Sequence, residues 1–457
     1  MARLAEVIPQ FLSPDNGARQ AAEQQLAQHR ANPSVFMPEL LQLARTFPEP
    51  HLRQTAAVLL RKSLDASVWP AIGAPGQTSI KAGLLEGVVA ETQDPKTRRA
   101  LADTISKLAG IASASGGWAD LLPFVFKLAI DTDGANKKLG FEILASLSIE
   151  VGGDAIVPLL EPLQPVLGGA LCAPNALAVR VACLNAVESM VEHVKDKEHR
   201  AHQQALQAHL PACLAVLQEA LASGDMTHAK ECLTSFIAIA ESDASFLRPH
   251  VDSMLSVAFG VAGADLDENV RHLGLELMIT FAEAKPGIAR KVPNFVETLV
   301  PAMCAMIEDI ADDDEWDENI GDEDEKDDMC IPENVRCGEE AMLRLFGAIG
   351  GNRSVPASLP IISVSSINIC RTSHFFCVIA LLRLYDALAG QDGVCKVAAA
   401  LRRAARSGPA GVNLGEGPQG APDKHRVHCG SHAERRQAAG CACSSFCGGG
   451  LVLLFRA

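Results

Sequence analysis

Leu52-Arg53-Gln54-Thr55-Ala56-Ala57-Val58-Leu59-Leu60-Arg61-Lys62-Ser63-Leu64 reads as a single amphipathic helix. Ala56, Ala57, Leu59, Leu60 and Leu64 recur with helical period and form an apolar stripe. Upstream, Ser34 to Phe47 is another helical run, and Pro48 to Pro50 separate the two because proline cannot continue a helix. The unit is helix, turn, helix.

That unit recurs along the chain. Met1 to Leu12 and Ala18 to Arg30 precede it, joined by Ser13-Pro14-Asp15-Asn16, a turn rich in helix-capping side chains. Later pairs fall at 76–91 with 95–113, 118–131 with 135–150, 154–168 with 176–194, 200–222 with 226–241, 244–262 with 267–284, and 288–310 with 334–349. A unit of about 40 residues is the length of HEAT-type repeats. The fold expected is all-α: an α-solenoid of antiparallel helix pairs in a superhelix. Scarce aromatics, 4% of the chain, suit helix-on-helix packing better than sheets.

Two recurrences strengthen this reading. Four first helices carry proline after apolar residues, at Leu121-Leu122-Pro123, Ile156-Val157-Pro158, Leu210-Pro211 and Leu299-Val300-Pro301, where it is expected to bend the helix. Second helices open near a cation: Arg19, Arg53, Arg98, Lys138, Arg180, Lys230 and Arg271. Asp15, Asn16, Asp94, Asn136, Asn175, Asp225 and Asn269 stand close to these starts. Such groups cap helices, and a cation one repeat along can bridge to them.

A dense acidic run interrupts the last pair. Asp312, Asp313, Asp314, Glu315, Asp317, Glu318, Asp322, Glu323, Asp324, Glu325, Asp327 and Asp328 face a single cation, Lys326, with Trp316 among them. Like charges at this density predict a solvated, self-repelling loop over 311–333 that offers a basic partner many carboxylates at once. Charge elsewhere points the same way. The first 351 residues hold 28 basic and 50 acidic side chains, and the rest hold twelve and five. An acidic body disfavours direct nucleic-acid binding and favours basic proteins.

From Asn352 the helical grammar ends. Val355 to Ile369 has no helical period, Phe375 to Leu388 suits one more helix, and Gly408 to Pro422 is Gly/Pro-rich. A largely disordered tail is expected over 352–457. Its His425, His428, Cys429, His432, Cys441, Cys443 and Cys447 have zinc-ligand chemistry but no standard finger spacing, so no metal is expected. The body cysteines, Cys172, Cys183, Cys213, Cys232, Cys304, Cys330 and Cys337, lack paired spacing and read as small core residues in a reducing compartment. No phosphate loop, nucleophile elbow or kinase signature is found, and neither an enzyme nor a cofactor is expected. The chain shows no signal-peptide pattern and no membrane-spanning run, so a soluble intracellular protein, without membrane contact, is expected.

Phe11-Leu12-Ser13-Pro14-Asp15-Asn16 through Ala22-Glu23 and Leu26, followed by Arg53 to Lys62, resembles the importin-β N-terminal domain. Phe246-Leu247-Arg248-Pro249-His250, Leu273-Gly274-Leu275-Glu276, and Asp313-Asp314-Glu315-Trp316 running to Gly338-Glu339-Glu340-Ala341-Met342 and Leu345 resemble the importin 5 (Ran-binding protein 5) branch. Asp317 stands where that family usually has Asn. The resemblance covers roughly 1–351. It implies importin-β N-terminal-type repeats over 1–113, further repeats over 114–351, and a non-family tail. Family members have roughly twice as many repeats, and a retained intron or shifted frame would account for the tail.

The resemblance implies a nuclear import receptor, monomeric, moving between cytoplasm and nucleus through the nuclear pore. Its implied partners are Ran-GTP, basic cargo such as ribosomal proteins and histones, and phenylalanine-glycine nucleoporins. Ran is expected near Arg19, Arg53, Arg61, Lys62, Arg98 and Arg99 and at the acidic run, and nucleoporins near Leu159, Leu163, Leu214 and Leu217. A HEAT scaffold that does not bind Ran, or a non-functional truncated product, is the alternative.

Overall fold

The computed structural model describes residues 4–113, 117–264, 266–308 and 333–350, with 354, 356–358 and 361. The acidic run, the helix expected at 375–388 and the tail cysteines and histidines lie outside the described residues. The chain divides into two compact units, 1–257 and 258–457.

In the first unit, a short helical segment precedes α1 (Asn16–Arg30), and pairs follow. They are α2 (Pro33–Thr46) with α3 (Pro50–Ser63), α4 (Ala74–Ala90) with α5 (Pro95–Ser113), and α6 (Leu121–Ala129) with α7 (Gly134–Val151). Next come α8 (Leu160–Ala170) with α9 (Leu177–Val191), and α10 (Leu210–Ala222) with α11 (Met226–Asp243). The boundary between units falls within α12 (Val251–Ala262). The second unit holds α13 (Glu268–Ala284), α14 (Phe295–Glu308) and α15 (Glu333–Ile349). Odd-numbered helices are thus second members of pairs. Among the described residues there is no strand, and the fold is the α-solenoid that the repeat pattern predicts.

From α5 to α11 each second helix packs on its own first helix and on the second helix before it: α5 on α3, α7 on α5, α9 on α7 and α11 on α9. In the second unit α15 packs on both α13 and α14. The apolar faces meet between layers, so Ala56, Ala57 and Leu60 of α3 are buried, as are Leu139, Ile143 and Leu147 of α7. The largest wholly buried side chain is Trp69, in the turn between α3 and α4.

Local chemistry explains where helices start. Asp15 accepts from Gly17 and Ala18 N–H, Asp94 from Thr97, and Asp225 from His228. The Thr97 hydroxyl, 2.5 Å from Asp94, is the chief reason its carboxyl sits below the ordinary range. Asp133 and Asp267 cap α7 and α13, a role the sequence alone did not assign them. Asn136 and Asn175 instead serve as acceptors between repeats.

Three prolines expected to bend first helices begin them instead. Pro123 lies in the first turn of α6, Pro158 in a 3-10 turn ahead of α8, and Pro211 at the second residue of α10. First-turn N–H groups have no acceptor within the helix, so a residue without one costs little there. Pro301 alone of the four lies inside its helix, α14. Pro211 also marks the division of the single helix expected at 200–222 into Arg200–Gln207 and α10.

A small residue follows three positions after several of the second-helix cations, as Arg53 then Ala56, Lys137 then Gly140, Arg180 then Cys183, and Arg271 then Gly274. At the glycines among these positions the two helices of a pair approach tightly. A Cβ on Gly140 would lie 2.7 Å from Ala129 N, one on Gly274 2.7 Å from Val261 Cγ1, and one on Gly338 2.8 Å from Met303 O. Cys183 donates its thiol to Leu167 O at 3.6 Å across the same contact. Burial pushes the Cys213 and Cys232 thiols up to about 12 and Cys183 upward as well, so these cysteines are packing residues.

Candidate functional site

The second helices of the first unit carry two rows of charge, one beneath and one above. The lower row ties each repeat to the next. Arg53 Nε lies 2.8 Å from Glu91, and its Nη1 donates to Phe47 O and Pro48 O at 3.0 and 3.1 Å. Arg98 donates to Asn136 Oδ1 at 2.6 Å and to Val88 O at 3.0 Å. Lys137 donates to Asn175 Oδ1 at 2.9 Å, and Arg180 bonds Glu219 and Leu171 O. Partners stand 38 or 39 residues apart, one repeat along. The register of the cations is what aligns them. Arg53 and Arg180 are buried, and every donor fork finds an oxygen, as burial of a charge demands.

The upper row faces outward across α3, α5 and α7. Arg61 lies 2.6 Å from Asp103, Arg99 3.9 Å from Asp103 and 3.7 Å from Glu142, and Lys138 3.6 Å from Glu142. Lys62 is exposed beside Arg61. Signs alternate along this chain, with cations at both ends.

Further along, carboxylates stand exposed just past the end of α9 and on α11. Asn185 and Glu188 of α9 are half-buried, Glu192 just past its end is exposed, and on α11 Glu231 and Glu241 are exposed and Lys230 half-buried. Ser235 donates to Asn185 Oδ1 at 2.7 Å and Ser242 to Glu192 Oε2 at 2.7 Å, which joins the two helices. Burial pushes the Glu188 carboxyl up, whereas the Lys195 ammonium, ahead of the Ser242 hydroxyl, holds Glu192 down. In the second unit Arg344 of α15 bridges Glu276 and Glu283 of α13, at 2.7 Å to each.

The residues singled out from sequence divide by depth. Arg53 and Arg98 belong to the lower row. Arg19 folds back onto its own turn, donating to Ser13 O at 2.6 Å and to Asn16. Arg61, Lys62 and Arg99 face outward. Leu163, Leu214 and Leu217 are buried within their pairs, and Leu159 is half-buried in the 3-10 turn ahead of α8. In this conformation the three buried leucines are core residues, out of a ligand's reach. Asp312, Asp313, Asp314, Glu315, Trp316, Asp317, Glu318, Asp322, Glu323, Asp324, Glu325, Asp327 and Asp328 lie outside the described residues.

Sequence reading did not single out Asp103, Glu142 and Glu91, whose roles depend on a partner about 40 residues away. It also passed over Lys81, which donates to Gly117 O at 2.8 Å between the rings of Trp69 and Trp118, 5.8 and 5.9 Å from their centres. Among the described residues no group of three or more His, Cys, Asp or Glu is placed to hold a metal, and no helix is long and apolar enough to cross a membrane.

Comparison with known proteins bears on this architecture. Residues 93–257 match a family described as IPO5-like, TPR repeats, and residues 263–356 match the Importin repeat family. The probable importin-5 homolog of Dictyostelium discoideum is 22% identical over 334 residues, covering 71% of this chain and 30% of its own length. Importin subunit beta-3 of Saccharomyces cerevisiae is 23% identical, with 71% and 30% covered. The chain thus spans under a third of these relatives. Among solved structures, Kap121p bound to RanGTP has the same fold, with a TM-score of 0.67 and 21% identity over 84% of this chain and 35% of that one. Kap121p bound to Nup53p gives 0.64 and 20%, with 84% and 36% covered. With importin repeats matched on both sides of residue 260 and the helix pairs packed as described, this chain belongs to the importin-β family of nuclear transport receptors.

Proposed function

We propose that the chain is a nuclear import receptor. It takes a basic protein segment in the cytoplasm, passes the pore by weak contacts with phenylalanine-glycine nucleoporins, and gives up its cargo to Ran-GTP in the nucleus. The family is a class of transport receptors and not of enzymes. The observation that carries the reading is the outward row Arg61, Lys62, Arg99 and Lys138 on α3, α5 and α7, followed along the chain by exposed Glu192 just after α9 and exposed Glu231 and Glu241 on α11. The solved complexes of Kap121p with RanGTP and with Nup53p support it.

In this reading Ran meets Arg61, Lys62 and Arg99 directly. Arg53 and Arg98 act from below by holding neighbouring repeats in register, and Arg19 by fixing the turn ahead of α1. Basic cargo, of the kind found in ribosomal proteins and histones, meets Glu192, Glu231 and Glu241 beside α9 and α11, and the acidic run Asp312–Asp328 offers cargo or Ran a second set of carboxylates. Nucleoporins meet the first-helix side around Leu159, with Leu163, Leu214 and Leu217 beneath. Ran and cargo prefer different spacings of one flexible stack, so each weakens the other's binding. The receptor acts as a monomer and contacts neither nucleic acid nor membrane directly.

Fluorescence anisotropy with a labelled lysine/arginine-rich peptide tests the cargo face. Binding is expected to weaken steeply with added salt, and Glu192→Lys, Glu231→Lys and Glu241→Lys together are expected to reduce affinity about tenfold or more. Salt-independent binding, or no effect of the triple change, would contradict the assignment.

A further inference from the structure

We propose that Asp103 and Glu142 are built-in competitors that hold down the affinity of the cationic row on α3, α5 and α7 for its acidic partner. The proposal rests on the Ran reading above and concerns how that contact is kept reversible. Asp103 lies between Arg61 and Arg99, and Glu142 between Arg99 and Lys138. Depth separates the two signs. The carboxylate side chains are 26% and 24% exposed, whereas Arg61, Lys138 and Arg99 are 38%, 43% and 65% exposed.

A carboxylate arriving from solvent therefore meets the cations first, and the protein's own carboxylates attenuate their potential from beneath. Only Arg61 and Asp103 are within hydrogen-bonding distance. The outer pairs at 3.6 to 3.9 Å are loose, exposed contacts that stabilise little and exchange readily. The stack does not depend on them, because the same helices are already joined beneath, α5 to α3 through the Thr97 hydroxyl and Pro50 O and α5 to α7 through the Arg98–Asn136 bond. The partner that fits is an acidic protein surface that places carboxylates over Arg99, Lys138 and Lys62 together.

Asp103→Asn/Glu142→Gln keeps both shapes and removes both charges. Biolayer interferometry on the full chain would use two probes, Ran-GTP and a polyglutamate peptide, at several salt concentrations. The double variant is expected to bind each probe about three- to tenfold more tightly, with a steeper loss of affinity on adding salt. Arg99→Ala/Lys138→Ala should bind both more weakly than the wild type. Equal or weaker binding of polyglutamate by the double variant, with an unchanged melting temperature, overturns the proposal. If its melting temperature falls, Asp103→Asn and Glu142→Gln alone are measured, and tightening by neither is equally fatal. Wild-type protein that binds polyglutamate as described but not Ran-GTP would defeat the Ran reading and leave the competitor role standing. Ran-GTP bound equally well by wild type and double variant would do the reverse.

Discussion

Arg53 and Lys62 share a helix and a charge, yet one is buried with its fork filled and the other stands in solvent. Removing Arg53 leaves Glu91, whose side chain is 10% exposed, without its partner. Arg53→Ala is expected to cost about 3 kcal/mol, and Lys62→Ala less than about 0.5 kcal/mol, in urea unfolding. Similar losses from the two would show that Arg53 is not the tie described. Both cations were visible in the sequence. Their separation was not, because it depends on Glu91, 38 residues away, and a single helix period says nothing of partners in the next repeat.

At the scale of the element, the helix pair was the most legible feature, since an apolar period broken by turn residues repeats along the chain. Junctions were less so. Pro123, Pro158 and Pro211 read as bends, although each satisfies the missing N–H more cheaply by standing at a helix start. Asp133 and Asp267 were passed over for Asn136 and Asn269, which lie nearby and carry similar capping chemistry. The close approach within pairs rests on residues without a side chain to obstruct it. Gly140→Ala is expected to destabilise by about 1–3 kcal/mol, because its methyl would meet the backbone of Ala129. Gly169→Ala, where nothing lies within 4 Å, is expected to stabilise by about 0.5–1 kcal/mol through helix propensity. Thermal unfolding of both variants checks the pair, and a neutral Gly140→Ala would contradict the packing.

For the whole molecule, two layers of charge separate architecture from recognition. Buried Arg53 and Arg180 join neighbouring repeats, while Lys62, Arg99, Glu231 and Glu241 stand exposed, where the proposed partners would meet them. The acidic run was the plainest signal in the sequence, yet it lies outside the described residues, and its share in binding rests on charge alone. The placement of Arg61, Lys62 and Arg99 outward and of Arg53 inward was not legible, because net charge averages over helices whose inward and outward faces differ. The most direct measurement is a calorimetric titration of the purified chain with Ran loaded with GTP and, separately, with GDP. The GTP form should bind with affinity that falls as salt rises, and the GDP form should give no measurable heat at the same concentrations. Binding that ignores the nucleotide, or no binding of either form at low salt, would contradict the assignment of this chain as an import receptor.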